Sequence, residues 1–197
     1  MNLKEKAIKI FGAVFFALGV LAVVSSYNSI GFSGIFWFSN LALLFVGAGM
    51  ILKKPWLIAS QMNIVFIPYL FWNIDFFYVL INSESLWGIT DYFFTERSFV
   101  LQVITLEHIF IIPVAVAFLF MYKPKKFDFW KFSIAQVLMV FAILRIIGDE
   151  KSNINCVYRT CSPINFSFIP YEISWVAGYI AIILVTNLAL AFILRKL

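Results

Sequence analysis

The chain has 197 residues, is 63% hydrophobic and carries 24 Phe, 8 Tyr and 6 Trp against only 13% charged residues. A soluble domain of this length has too little interior to hide that much apolar surface, and it would carry more charge. The net charge of +5 does not point to nucleic acid, because the basic residues stand between apolar runs and make no basic face. With a mean hydropathy of +0.96, the expected class is an all-α polytopic membrane protein, residues 1–197 in one domain. The apolar runs are continuous rather than alternating, which argues against a β-barrel.

Lys4, Lys6 and Lys9 precede an apolar run at about 10–24. A basic start and an apolar middle also describe a signal peptide, but no A-x-A site follows and more spans do. The polar turn SSYNSIGFSG leads to a second span at about 35–52, closed by Lys53, Lys54 and Pro55. The third covers about 56–81, followed by a loop with Glu84, Asp91, Glu96 and Arg97. The fourth, about 99–121, stops at Lys123, Pro124, Lys125 and Lys126. The fifth covers about 129–147, and the loop after it holds Asp149, Glu150, Lys151, Cys156, Arg159 and Cys161. The sixth covers about 171–194 and ends at Arg195 and Lys196.

Each run is near the roughly 20 residues that cross a bilayer, which predicts a bundle of six transmembrane helices with short loops. An even number of spans places both termini on one side. Lys4, Lys6, Lys9, Lys53, Lys54, Lys123, Lys125, Lys126, Lys131, Arg195 and Lys196 fall on that side. Arg97, Lys151 and Arg159 fall in the opposite loops. The positive-inside rule then predicts a multi-pass plasma-membrane protein with both termini cytoplasmic.

The third run contains NIVFIPYLFWNID, an apolar stretch interrupted by Asn63, Pro68, Asn73 and Asp75. A carboxylate at the centre of a membrane helix costs roughly 2.5–3.5 kcal/mol on insertion scales and is kept by facing inward. The next run carries Glu107 and His108, the only histidine. Counting along the spans at the helical rise puts Asn40, Asn73, Asp75, Glu107, His108 and Arg145 in the outer half. Asn63 and Gln136 fall deeper, where they suit interhelical packing bonds.

The expectation is an outward-facing intramembrane pocket. His108 serves as general acid or base, Asp75 orients it, and Asn40, Trp72, Asn73, Glu107, Arg145, Asn153 and Asn155 surround a ligand. On a continuous helix Glu107 points about 100° away from His108, so the two would not face one partner. An Asp75–Arg145 ion pair and a His108 bonded only within the core are the structural alternatives. One His with Asp75 and Glu107 is a thin ligand set, and no nucleotide-binding, zinc-protease or nucleophile-elbow motif is present. No metal or cofactor is assigned.

Cys156 and Cys161, spaced C-x4-C in one outer loop, suit a local disulfide outside the cytoplasm. Free thiols or a redox pair are the alternatives, although redox pairs usually read C-x-x-C. Trp87, Tyr92 and Tyr158 either fold over the site or form an interfacial aromatic belt.

Several pieces stand together: Trp37 with Asn40; Pro68, Trp72, Asn73 and Asp75 in P-x-x-x-W-N-x-D; Thr90 and Tyr92 in T-x-Y; His108 before Pro113; and Asn153-Ile154-Asn155 with Val157. With them the chain resembles a family of small six-span prokaryotic integral membrane proteins, from the second span to the last outer loop. The resemblance implies the fold and the importance of these residues, and supplies no activity. The family pattern has an aromatic where Cys156 stands, which sets a cysteine mechanism aside. A looser likeness, in span number and one His, is to six-span lipid hydrolases.

Three functions compete. The pocket binds a lipid headgroup or small amphiphile; or His108 with Asp75 serves an outer-leaflet lipid hydrolase or transferase; or the chain is an assembly subunit. Membrane lipid and an amphiphilic ligand are the expected partners, with a homo-oligomer open and nucleic acid excluded.

Overall fold

The computed structural model describes residues 3–96, 98–161 and 169–196; Arg97, counted above among the outer-loop cations, lies outside them. The described residues form eight α-helices: α1 (Leu3–Ile30), α2 (Phe38–Ile51), α3 (Pro55–Asn82), α4 (Asp91–Thr95), α5 (Phe99–Thr105), α6 (Glu107–Met121), α7 (Trp130–Ile147) and α8 (Tyr171–Lys196). Two short 3-10 turns, Phe32–Phe36 and Ile154–Cys156, complete the inventory, with no strand among the described residues.

Five stretches are long and apolar enough to cross a membrane: Lys4–Ile30, Pro55–Asn82, Phe99–Met121, Trp130–Ile147 and Tyr171–Lys196. The remaining apolar helix, α2, has 14 residues. At the helical rise that is about 21 Å, short of a hydrocarbon core of roughly 30 Å. The expected span at 35–52 is therefore helical only over Phe38–Ile51, and the 3-10 turn before it, Phe32–Phe36, overlaps its first residues and the end of the expected polar turn. The first helix, by contrast, is longer than its apolar stretch and begins among the lysines.

α3 is the axis of the bundle and packs against α2, α6, α7 and α8. It starts at Pro55, where proline's missing N–H breaks no helical bond. α1 lies along α2 through a glycine seam. A Cβ on Gly47 would sit 2.5 Å from the Phe16 nitrogen and 2.8 Å from the Gly12 oxygen, so only glycine allows the two backbones to touch. Phe11, Phe16 and Leu21 on α1 and Leu188 and Phe192 on α8 stay exposed. This outward apolar surface suits lipid, not water.

Contacts gather the basic residues at one end. Lys53 pairs with Glu5 at 2.7 Å and lies over the Tyr122 ring, and Arg195 lies over Phe127. Above that end runs a buried polar layer. The Gln61 and Gln136 amides exchange bonds of 2.8 and 3.2 Å, and the Asn63 amide nitrogen lies 3.3 Å from both Ser133 and Asn187. These bonds tie α3 to α7 and α8. Membrane interhelical bonds average about 0.6 kcal/mol each, so the layer sets register more than it supplies stability.

Candidate functional site

The opposite end is built around two places where helix gives way to irregular backbone. Inside apolar surroundings every backbone polar group needs a partner, so such breaks must be covered by protein. Before α2 the cover comes from two asparagines. Asn40 Nδ2 donates to the Gly34 carbonyl at 3.1 Å and to Ser26 Oγ at 3.0 Å. Asn155 Oδ1 accepts the Phe38 N–H at 3.0 Å while its Nδ2 donates to the Phe36 carbonyl at 2.7 Å. One side chain thus caps α2 and closes the turn before it.

The N-I-N motif has a backbone reason. Asn153 and Asn155 adopt φ of 43° and 51°, a left-handed conformation that asparagine tolerates better than most residues. Asn153 Oδ1 accepts from the Tyr158 and Arg159 N–H groups, and its Nδ2 donates to the Arg159 carbonyl. Cys156 and Cys161 are joined in a disulfide across the same loop. Trp175 Nε1 donates to the Asn155 carbonyl, which docks the loop on α8.

Asp75 occupies the second break. Fully buried near the end of α3, it is ringed by donors from the loop between α3 and α4. Oδ1 accepts the Leu86 and Trp87 N–H groups at 2.9 and 2.8 Å. Oδ2 accepts both the N–H and the hydroxyl of Thr90 at 2.9 Å. Gly88 turns inside this loop at φ 72°. The expected pairing of Asp75 with His108 is therefore replaced. Loop backbone donors fill both carboxylate oxygens, and His108 is bonded elsewhere.

The expected Asp75–Arg145 alternative is replaced as well. Arg145 pairs with Glu172 at 2.8 Å and stacks over Tyr158, with its guanidinium carbon 5.0 Å from the ring centre. It stands in the last turn of α7, where a cation also favours the helix dipole.

His108 belongs to a different group. The fourth apolar stretch breaks at Leu106, between α5 and α6. Ile109 N–H bonds to the Leu106 carbonyl instead of reaching back to Thr105. The freed Thr105 carbonyl lies 2.8 Å from His108 Nδ1. Because a carbonyl only accepts, Nδ1 carries a proton toward it. Glu107 and His108 follow each other on α6, yet their side chains converge: Glu107 Oε1 lies 3.0 Å from His108 Nδ1, contrary to the expectation that they would not face one partner. The same oxygen accepts the Tyr69 hydroxyl at 2.7 Å. The imidazole is sandwiched by α3 aromatics, 4.1 Å from the Tyr69 ring centre and 4.8 Å from that of Trp72. Asn73 Nδ2 donates to the His108 carbonyl at 2.8 Å and fixes α6 against α3.

Two cavities meet at this group. The larger, about 430 Å³, lies between α1, α2, α4, α5 and α6, with Ser26, Asn40, Gln102, Glu107 and His108 among its polar lining. The second, about 360 Å³, is lined by Pro68, Tyr69, Trp72, His108, Asn155 and Tyr179 among others. Trp37, Ser39, Tyr92 and His108 border both. The Tyr92 hydroxyl accepts from Trp72 Nε1 at 2.9 Å, which holds the dividing wall in place. The Tyr92 ring is half exposed, but its hydroxyl turns in to Trp72, and the desolvation there pushes it up to about 12, opposed by the Trp72 donor and assisted by Glu107.

Asn40, Trp72, Glu107, His108 and Asn155 line one or both of the cavities. Asp75, Asn73, Arg145 and Asn153 instead hold the walls through the bonds described. Tyr69 is not among the expected site residues, and Trp37 stands there only through the family resemblance. The one signal for Tyr69 was its place one turn before Trp72 and Asn73 on a shared face.

Fold and site together define a helical, membrane-type bundle with a buried Glu–His–Tyr group between two cavities. Compared with known protein families, curated proteins and solved structures, the chain matches none.

Proposed function

We propose that this is a multi-pass plasma-membrane protein whose outer pocket holds a lipid headgroup or small amphiphile. In this reading the 3-10 turn and α2 together make a sixth crossing, and both termini are cytoplasmic. The gathered lysines and Arg195 at one end of the bundle favour that orientation. The observation that carries the pocket reading is the pair of cavities bordered by His108, polar near Glu107 and otherwise apolar and aromatic. A few polar groups in an apolar pocket orient a ligand, while the apolar walls hold it.

The hydrolase or transferase alternative has less behind it. His108 Nδ1 is engaged with Thr105 and Glu107, and the Thr105 hydroxyl donates to the Leu101 carbonyl. No described hydroxyl is hydrogen-bonded to His108 as a nucleophile would be.

Native mass spectrometry with lipidomics tests the proposal, on wild type beside Glu107→Gln and His108→Gln. A specific amphiphile that co-purifies with wild type and is lost in both variants is the expected result. Absence of any specific ligand from folded wild type sinks the pocket and leaves an assembly role in front. Accessibility labelling of single cysteines placed at Lys4 and Glu84 checks the orientation.

A further inference from the structure

We infer that the group held in the larger cavity is an N–H-bearing ammonium, carried by an amphiphile headgroup or by a small free amine. This rests on the pocket reading above and names its ligand. Glu107 is 3% exposed. Its Oε1 accepts the Tyr69 hydroxyl and faces His108, but its Oε2 has no hydrogen-bond partner among the described residues. A buried carboxylate oxygen without a donor is costly, and proteins seldom leave one without a use.

The charge of the lining has one sign. Glu96 and Glu107 both border the cavity, and no Lys or Arg does among the described residues. Arg145 is taken up by Glu172 and Tyr158. His108 directs its Nδ1–H to the Thr105 carbonyl and supplies no donor to Glu107 Oε2. A phosphate or carboxylate brought here would lie beside Glu107 with no Lys or Arg among the described lining residues to offset it. An ammonium brings the two things the cavity lacks, a donor for Oε2 and a positive charge.

The walls agree. Trp37, Tyr92 and Phe93 line the same cavity, and aromatic faces attract a desolvated cation. A quaternary ammonium would satisfy the rings and leave Oε2 without a donor, so the ethanolamine type is favoured over the choline type. Ser26, Ser29 and Gln102 offer further acceptors for the remaining N–H groups.

The test is a titration of the purified full chain in detergent micelles, read by native mass spectrometry. The probes are lysophosphatidylethanolamine, lysophosphatidylglycerol of the same chain length, and ethanolamine alone. The first two share a phosphate and a tail and differ in the ammonium. Wild type is expected to prefer the ethanolamine lipid by at least about tenfold, the ratio one charge-assisted bond supplies. Glu107→Gln is expected to lose that preference. Comparable affinity for ethanolamine alone assigns the cavity to free amines, and affinity for the lipid alone assigns it to headgroups. Equal, saturable binding of both lipids overturns the ammonium and leaves the pocket standing. Saturable binding of neither, by protein with an intact melting transition, overturns both. If Glu107→Gln does not fold, the wild-type ratio decides alone, with Glu96→Gln as the second variant.

Discussion

Replacing Asp75 separates a scaffold carboxylate from a catalytic one. Its four donors come from three residues of the loop that follows α3, Leu86, Trp87 and Thr90. In Asp75→Ala, the Leu86 and Trp87 N–H groups lie near the surface and recruit water. Thr90 is 0% exposed and cannot. At about 1–3 kcal/mol for each buried donor left unpaired, its N–H and hydroxyl together imply a loss of about 2–6 kcal/mol. Asp75→Asn keeps the shape but turns one oxygen into an NH2 group, which faces either Thr90 or the Leu86–Trp87 pair. Half the bonds are lost and a donor meets a donor, for a loss of about 2–3 kcal/mol. Thr90→Val removes a single bond, about 1 kcal/mol. The assay is thermal unfolding in detergent followed by tryptophan fluorescence, with limited proteolysis across residues 86–90. The expected order is Ala worst, then Asn, then Thr90→Val, with proteolysis rising in step. An Asp75→Asn protein that melts like wild type and keeps this loop protected would refute the clamp, and would return Asp75 to a proton-transfer role.

Gly47→Val forces a side chain into the Phe16 backbone and is expected to cost at least the roughly 1–3 kcal/mol of an overpacked core, read as a lower melting temperature. Asn155→Ala strips partners from the Phe38 N–H and the Phe36 carbonyl and is expected to cost about 2–4 kcal/mol. Asn155→Asp keeps the acceptor and is expected to recover part of that loss in the same melt. The raised Tyr92 hydroxyl gives a pH prediction. The folded state holds this proton more tightly than the unfolded chain, whose value is 10.0. Its contribution is therefore complete below pH 10 and is lost as pH climbs toward about 12. Alkaline melts of Tyr92→Phe beside wild type check it; wild type is expected to show the additional decline.

The helices were legible because their ends are written in lysines and prolines. Lys53-Lys54-Pro55 and Lys123-Pro124 mark turns that the structure also has. The shortness of the second span was less visible. The 3-10 turn that precedes α2 takes up its first residues, and one of the two side chains that cover it, Asn155, comes from far along the chain. The same reason hid the partner of Asp75. Three of its donors are backbone N–H groups, which every residue type but proline possesses and which leave no mark in a sequence. Glu107 and His108 stand out in the sequence, but periodicity places only the directions of their Cβ atoms, and the long Glu107 side chain curls back to His108. Tyr69 stood among 24 Phe and 8 Tyr, where one more aromatic carries no contrast. The P-x-x-x-W-N-x-D and T-x-Y motifs turn out to hold one another: Trp72 bonds to Tyr92 and Asp75 to Thr90.

The seam between α1 and α2 has a consequence in time. The two helices are neighbours in sequence and touch through backbone, so their pairing closes a short loop at low entropic cost. A hairpin can therefore form while the ribosome is still making α3. Its upper turn waits, however, for the Asn155 side chain, 117 residues after Phe38. The oldest part of the molecule is completed by one of its youngest, and the pocket beside His108 takes its final shape only when the last loop arrives.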